Sequence, residues 1–190
     1  MKCLLCERLS LAHICSTCKD QFLQPSIYKR KILNNIEVIS FYKYQDIKDL
    51  IHTKHTDLGY YIYTILARCA FKKFADEFIF NEDIAAIAID DRAKNGYAHT
   101  AILNKALKSR YITPLTCRLR GTNHVTYSSK TYEERLRYPR NFKVKNFQQK
   151  NVILVDDIIT TGLTLAQGCN ALHKEGKDIL FCLTLADAQE

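Results

Sequence analysis

Two groups of residues in this chain have the types and spacing to do chemistry. The first is VILVDDIITTGLT, Val152 to Thr164, where paired acids precede a loop of hydroxyls and glycine. Asp156 and Asp157 follow a short, β-branched apolar run, the pattern of a strand covered on both faces of a parallel sheet. They therefore fall at the sheet edge where open α/β folds bind ligands. Thr160, Thr161, Gly162 and Thr164 come next, and LTLAQGCNALHKEG reads as the helix behind them. Backbone N–H groups at that helix start, unobstructed at Gly162, can hold a phosphate, with the threonine hydroxyls as further donors. Acids beside such a nest suit a sugar phosphate, carboxylates taking the ribose hydroxyls and amides the 5′-phosphate. The competing reading is an ordinary strand, turn and helix with a solvated acid pair.

The second group is Cys3-x2-Cys6, eight residues, then Cys15-x2-Cys18. Thiolates at this spacing can converge tetrahedrally on Zn²⁺, and a segment this short has almost no core without a metal. Two disulfides or redox-active pairs are the alternatives. Four sulfurs make His13 redundant as a ligand. Cys69, Cys117, Cys169 and Cys182 show no paired spacing and read as small core residues or incidental thiols.

The acid–acid, threonine–threonine–glycine and final threonine positions of the first group resemble the phosphoribosyl-pyrophosphate (PRPP) loop of type I phosphoribosyltransferases. The surrounding elements agree. NIEVISFYKY (35–44) alternates like a strand, and DIKDLIHTKH opens a short helix with Asp46 as its cap. From Asp57 onward, Leu58, Tyr61, Ile62, Ile65, Leu66, Cys69, Phe74 and Phe78 recur at three- and four-residue steps, predicting a long amphipathic helix whose aromatics are core. DIAAIAID (83–90) is a buried strand, TAILNKALKS a helix and YITPLTCRLR a third strand-like run. An irregular polar segment at 121–150 leads to the VILVDD strand, its helix and a last strand, DILFCLTLA (178–186). Alternating strands and helices predict an α/β fold, an open parallel sheet with flanking helices. Residues 1–24 form the zinc module, ending near Pro25; 25–190 form the phosphoribosyltransferase-like domain, with a hood over about 111–150.

At 190 residues the chain can bury a substantial core, and 47% hydrophobic with 25% charged residues excludes a disordered protein. No apolar run approaches the length of a membrane span, so no membrane insertion is expected. The start, MKCLLCERLSLAHICSTCKD, is not a signal peptide, which predicts a cytoplasmic, reducing location and argues against a disulfide framework. Charge is uneven. Residues 108–150 carry eleven Lys/Arg and two acids, +9 against +8 for the whole chain. Arg118, Arg120, Arg137, Arg140 and Lys143, interleaved with Tyr111, Tyr127, Tyr132, Tyr138, Phe142 and Phe147, suit single-stranded nucleic acid. A solvated basic loop, or one gripping pyrophosphate, fits the same charges.

Taken whole, the chain resembles the ComF family of competence proteins. The carriers are the four-cysteine module, SFYKYQDIKDLIHTKH with Lys54 near its end, the Arg92–His99 stretch RAKNGYAH, the hood closing on Arg140-Asn141-Phe142, and the PRPP loop. The chain departs from the family at Ile87–Asp90, at Ala98-His99 and at Val125. The resemblance implies binding of incoming single-stranded DNA during natural transformation, alongside a competence helicase or recombination proteins. An active phosphoribosyltransferase of nucleotide salvage is an alternative. It would use PRPP and Mg²⁺, with Asp91, Arg92 and Lys94 as the pyrophosphate-side loop. No base-recognition segment is identifiable, since only Asp187–Glu190 follow the last strand, and ligand binding is therefore favoured over turnover. A PRPP-sensing nucleic-acid-binding regulator is the third reading.

Overall fold

The computed structural model describes residues 1–90, 93, 96–122 and 139–189. Its strands are β1 (Tyr28–Lys31), β2 (Glu37–Lys43), β3 (Ile84–Ala88), β4 (Ile112–Leu115), β5 (Leu119–Gly121), β6 (Phe142–Val144), β7 (Asn151–Ile159) and β8 (Asp178–Asp187). The helices are α1 (Ser16–Phe22), α2 (Tyr44–His52), α3 (Asp57–Ala67), α4 (Lys73–Glu77), α5 (His99–Ala106) and α6 (Leu163–Lys174). Six strands form one sheet in the order β1-β2-β8-β7-β3-β4, parallel except for β1, while β5 and β6 pair separately.

The central strands are apolar on both sides because helices cover both faces. Ile153 and Val155 of β7 face a core shared with α2, α3, α4 and α5. Val152 and Leu154 face the opposite core, with Leu165, Cys169 and Leu172 of α6 and Leu119 of β5. Cys3, Ile14, Cys18 and Leu23 are buried in the first of these cores, so the cysteine segment packs onto the domain rather than standing apart. The Tyr42 hydroxyl donates to the Leu23 carbonyl at 2.8 Å and reinforces that seam.

Several elements depart from the sequence expectations. The edge strand β1 is unexpected, since YKRK carries little apolar signal. The run YITPLTCRLR is not one strand. Pro114 sits on β4 at the sheet edge, where a missing N–H is tolerated, and Cys117 at φ 55° turns the chain toward the second sheet. Helix α2 begins at Tyr44, which places Asp46 inside the first turn instead of at the cap. There its charge still favours the helix dipole.

The long helix after Asp57 is interrupted by a π-helical turn, Arg68–Lys72, between α3 and α4. The core stripe of α3 is also rotated from the expected one. Gly59, Ile62, Tyr63, Leu66 and Ala67 are buried, whereas Tyr61, expected in the core, is 53% exposed.

Candidate functional site

Strand alternation sends the two acids of β7 to opposite faces of the sheet. Asp157, 7% exposed, points toward the α3 and α5 side. Its Oδ2 accepts a 2.8 Å bond from Lys54 Nζ and a 3.4 Å bond from the Tyr63 hydroxyl, and His99 Nε2 lies at 3.3 Å. Its Oδ1 accepts from the Ile158 N–H at 2.9 Å. Burial alone raises this carboxyl, but the His99 bond and the Lys54 charge outweigh it and hold Asp157 well below the carboxylate range. The same pairing outweighs burial at Lys54, whose ammonium is raised.

Asp156 lies on the other face. Burial first, then repulsion from Asp157, pushes its carboxyl up to about 7, with the Arg140 charge acting against them. Its Oδ1 accepts the Asp157 N–H at 2.9 Å. The pair is thus split, one acid held ionised by three side chains and its neighbour able to exchange a proton near neutrality.

Lys54 reaches Asp157 because its own segment is fastened. The Tyr97 hydroxyl donates to the Lys54 carbonyl at 2.8 Å and lies 3.1 Å from the Thr56 carbonyl. That approach needs Gly59, where a Cβ would sit 2.0 Å from the Tyr97 hydroxyl and 2.3 Å from the Thr53 carbonyl. Tyr63 and His99 meet edge-to-face at 5.4 Å. The motif did not single out Tyr63 or His99 for this site. The available signal was the position of His99, first residue of the helix after a glycine–aromatic pair.

Asp156 and the segment Ile158–Leu165 line a single concavity, with Thr160, Thr161, Gly162 and Thr164 on its wall. Gly162 precedes α6 at φ 76°, a left-handed conformation, and a Cβ there would fall 2.4 Å from Ile32 Cγ2. Glycine is required on both counts. The Thr161 hydroxyl accepts from the Leu163 N–H at 3.4 Å. Behind the loop, Arg30 of β1 donates to the Thr160 carbonyl, and its Nε lies 2.9 Å from Asp187 Oδ2. The edge strand absent from the sequence expectations therefore braces the loop.

The basic residues separate into different roles. Arg118 Nη1 donates to the Asn146 carbonyl at 3.0 Å, and Arg140 Nη1 lies 3.6 Å from Asp90 Oδ2. Asp90 itself has φ 42°, a strained conformation at the end of β3 of the kind that gathers at functional sites. Arg120 and Lys143 are register partners on β5 and β6, with Lys143 exposed and Arg120 partly buried. Asp91, Arg92, Lys94 and Arg137 lie outside the described residues.

Comparison with known proteins gives a family. The profile of the phosphoribosyl transferase domain matches residues 62–190, well over half of the chain. The chain belongs to the phosphoribosyl transferase domain family. No curated protein sequence matches it. Among solved structures it is similar to a hypoxanthine phosphoribosyltransferase from Staphylococcus aureus, with 13% identity and a TM-score of 0.40 over 66% of this chain and 62% of that one. An orotate phosphoribosyltransferase from Aeropyrum pernix shares 16% identity, with a TM-score of 0.38 over 90% of this chain and 80% of that one. The orotate phosphoribosyltransferase of Mycobacterium tuberculosis, in complex with inorganic phosphate, shares 11% identity, with a TM-score of 0.41 over 90% and 81%.

Lys54 and the four cysteines precede the matched phosphoribosyl transferase span, yet Lys54 enters its acid site. The sulfurs of Cys3, Cys6, Cys15 and Cys18 all lie within 4.8 Å of one another, close enough to hold a metal such as zinc. Cys6 and Cys15 are 3.8 Å apart, near the roughly 3.8 Å that a tetrahedral ion with bonds of about 2.3 Å imposes. The Cys15 N–H donates to Cys3 Sγ at 3.3 Å and the Cys18 N–H to Cys15 Sγ at 3.5 Å, bonds that stabilise thiolates. Backbone N–H donors lower the Cys3 thiol to about 6, while burial and the neighbouring sulfurs push Cys18 up to about 12. Four clustered thiols resist ionising together, and a bound cation removes that conflict. His13 stands outside the cluster, its ring 4.8 Å from that of Tyr61. Among the described residues no helix is long and apolar enough to cross a membrane.

Proposed function

We propose that this chain is a ComF-type competence protein that binds single-stranded DNA in the cytoplasm during natural transformation, and that its β7–α6 loop holds a PRPP-like sugar phosphate. The observation that carries the sugar-phosphate half is the shared concavity, where an acid and the amide- and hydroxyl-bearing loop Thr160–Thr164 face one space. A 5′-phosphate sits against the loop amides at the start of α6, and Asp156 takes ribose hydroxyls. Asp157, already saturated by Lys54, His99 and Tyr63, orients the edge of the site rather than facing the ligand. Asp91, Arg92 and Lys94 would meet the pyrophosphate, and a Mg²⁺ held there would offset its negative charge. The DNA half is supported by the concentration of positive charge in residues 108–150 and by the cysteine cluster ahead of the domain. Arg118, Arg120, Arg137, Arg140 and Lys143 are the proposed backbone contacts, and the competence helicase or recombination proteins the expected partners.

Transformation frequency in the native host tests the reading. Asp156→Ala/Asp157→Ala and Cys15→Ser/Cys18→Ser should each reduce it, and wild-type frequency in both variants would exclude a competence role. A working phosphoribosyltransferase is the second reading, favoured by the Asp156 carboxyl at about 7, which can move a proton at neutral pH. Steady, base-dependent pyrophosphate release from labelled PRPP would establish turnover, and its absence across the nucleobases would remove it.

A further inference from the structure

A second cavity, of about 570 Å³, opens beside the edge strand β4 and shares no lining residue with the β7–α6 concavity. Leu115, Arg118, Asn146, Phe147, Gln148 and Gln149 line it, so it falls within residues 108–150, where the chain's excess of positive charge lies. Lys177 Nζ donates to the Phe147 and Gln149 carbonyls at 2.7 and 3.1 Å and sits 4.1 Å from the Phe147 ring. Gln149 Nε2 donates to Asp83 Oδ2 at 2.9 Å. The wall is thus held in place by the fold, as ligand sites generally are. Arg118 is the cation on this wall. Its Nη1 donates to the Asn146 carbonyl at 3.0 Å, and its Nε is buried with no hydrogen-bond partner. Arg30 and Arg140 each face a carboxylate, but Arg118 has none among the described residues. A partly buried cation without a counterion costs free energy that an anionic ligand would recover.

The β5–β6 ribbon leads positive charge to this cavity. Leu119 and Val144 are register partners packed in the α6-side core, so strand alternation turns Arg120 and Lys143 to the other face. The pairing continues past the strands, with the Lys145 N–H donating to the Arg118 carbonyl at 2.8 Å. Lys145, two residues after Lys143, shares its face, and both are exposed. We propose that the cavity seats one nucleotide of a single nucleic-acid strand, with Arg118 as counterion to its phosphate and the flanking phosphates along Lys143 and Lys145. The assignment rests on the nucleic-acid reading above and adds a seat for a base, which cations alone do not supply. Leu115 and Phe147 offer that base an apolar floor. The side-chain amides of Asn146 and Gln148 are exposed and have no hydrogen-bond partner among the described residues. They can meet the donors and acceptors that an unpaired base presents at its edge. The volume of about 570 Å³ is within the roughly 300–1,000 Å³ of small-molecule sites. A bare anion would use the guanidinium and leave the amides and the apolar floor without a role.

Fluorescence anisotropy of a labelled oligothymidylate with the full chain, over a range of salt concentrations, tests the site. Each phosphate contact on a single strand contributes about 0.7 to the slope of log affinity against log salt. Lys143→Gln/Lys145→Gln should therefore lower the slope by about 1.4, and Arg118→Gln by about 0.7. Asn146→Ala/Gln148→Ala should bind roughly fivefold or more weakly with an unchanged slope, because it removes base contacts and no phosphate contact. Lys48→Gln/Lys105→Gln, at exposed lysines on α2 and α5, should keep the wild-type affinity and slope. Wild-type affinity and slope in both Arg118→Gln and Lys143→Gln/Lys145→Gln overturn the site and leave the nucleic-acid reading to other residues. A lowered slope in those variants, with wild-type affinity in the amide variant, overturns the nucleotide seat and makes the groove a site for polyanions in general. An equal loss in Lys48→Gln/Lys105→Gln reduces the effect to net charge and also overturns it. No binding by the wild type removes both readings. Should a variant fail to fold, lysine acetylation of the wild type with and without oligothymidylate decides. Protection of Lys143 and Lys145 but not of Lys48 and Lys105 supports the site, and protection confined to other lysines refutes it.

Discussion

Replacing Asp156 with asparagine tests the electrostatic split of the acid pair, because it removes a charge and keeps an oxygen for the Asp157 N–H. Burial and the Asp157 charge raise this carboxyl from 3.8 to about 7. The folded chain therefore keeps a proton that the unfolded chain releases above about pH 4. Stability falls as the pH rises from about 4 to about 7, and the full loss persists above that. At about 1.4 kcal/mol per unit, the wild type gives up at most about 2 kcal/mol at pH 5 and about 4 kcal/mol at pH 8. These are ceilings, because Asp156 keeps partial contact with solvent. Asp156→Asn escapes the loss, so its advantage over wild type grows by about 2 kcal/mol between the two pH values. For a chain of this size one kcal/mol moves Tm by roughly 2–4 °C. The assay is thermal melting of both proteins at pH 5, 6, 7 and 8, in phosphate-free buffer without divalent cations. The Tm advantage of the variant should be roughly 4–8 °C larger at pH 8 than at pH 5. An advantage that stays constant, or shrinks toward pH 8, would refute the assignment of a raised carboxyl to Asp156.

Asp157→Ala should cost about 3–5 kcal/mol, since it leaves Lys54 and His99 facing a cavity without an acceptor. Urea midpoints at pH 7 measure this, and a loss below 1 kcal/mol would mean that the cluster is solvated. Gly162→Ala forces a Cβ into Ile32 at a left-handed φ, so it should lose roughly 1–3 kcal/mol. Inorganic phosphate or PRPP should raise the Tm of the wild type and leave that of Gly162→Ala unchanged. Metal analysis should find one zinc per wild-type chain and none in Cys15→Ser/Cys18→Ser. The metal-free variant should melt earlier, because Ile14 and Leu23 share the main core. A metal-free wild type with an unchanged Tm would count against the site.

Much of the local architecture was legible in the chain itself. Val152–Val155 read as a doubly covered strand, and the glycine and threonines after it as a helix entry, because those residues serve positive φ and anion binding. The cysteine cluster was legible for the same reason, since its ligands are close in sequence and the metal geometry is strict. What escaped was set by distance along the chain or by a small rotation. The amphipathic stripe of α3 permitted two settings, and only packing against α5 and α2 buried Tyr63 and turned Tyr61 outward. Strand β1 has too few apolar residues to announce itself, and it exists because β2 offers an edge.

By itself, the sequence determined the central strands and helices, the glycine–threonine loop and the four-sulfur cluster, because each depends on contacts within a few residues. Only the tertiary structure decided which acid lines the concavity of the β7–α6 loop. Lys54 and Asp157 are 103 residues apart, and their pairing arises when α3, α5 and β7 close on one core. That pairing holds Asp157 ionised and leaves Asp156 on the opposite face near neutrality. A titration state is a sum over neighbours in space, and those neighbours exist only once the chain has folded.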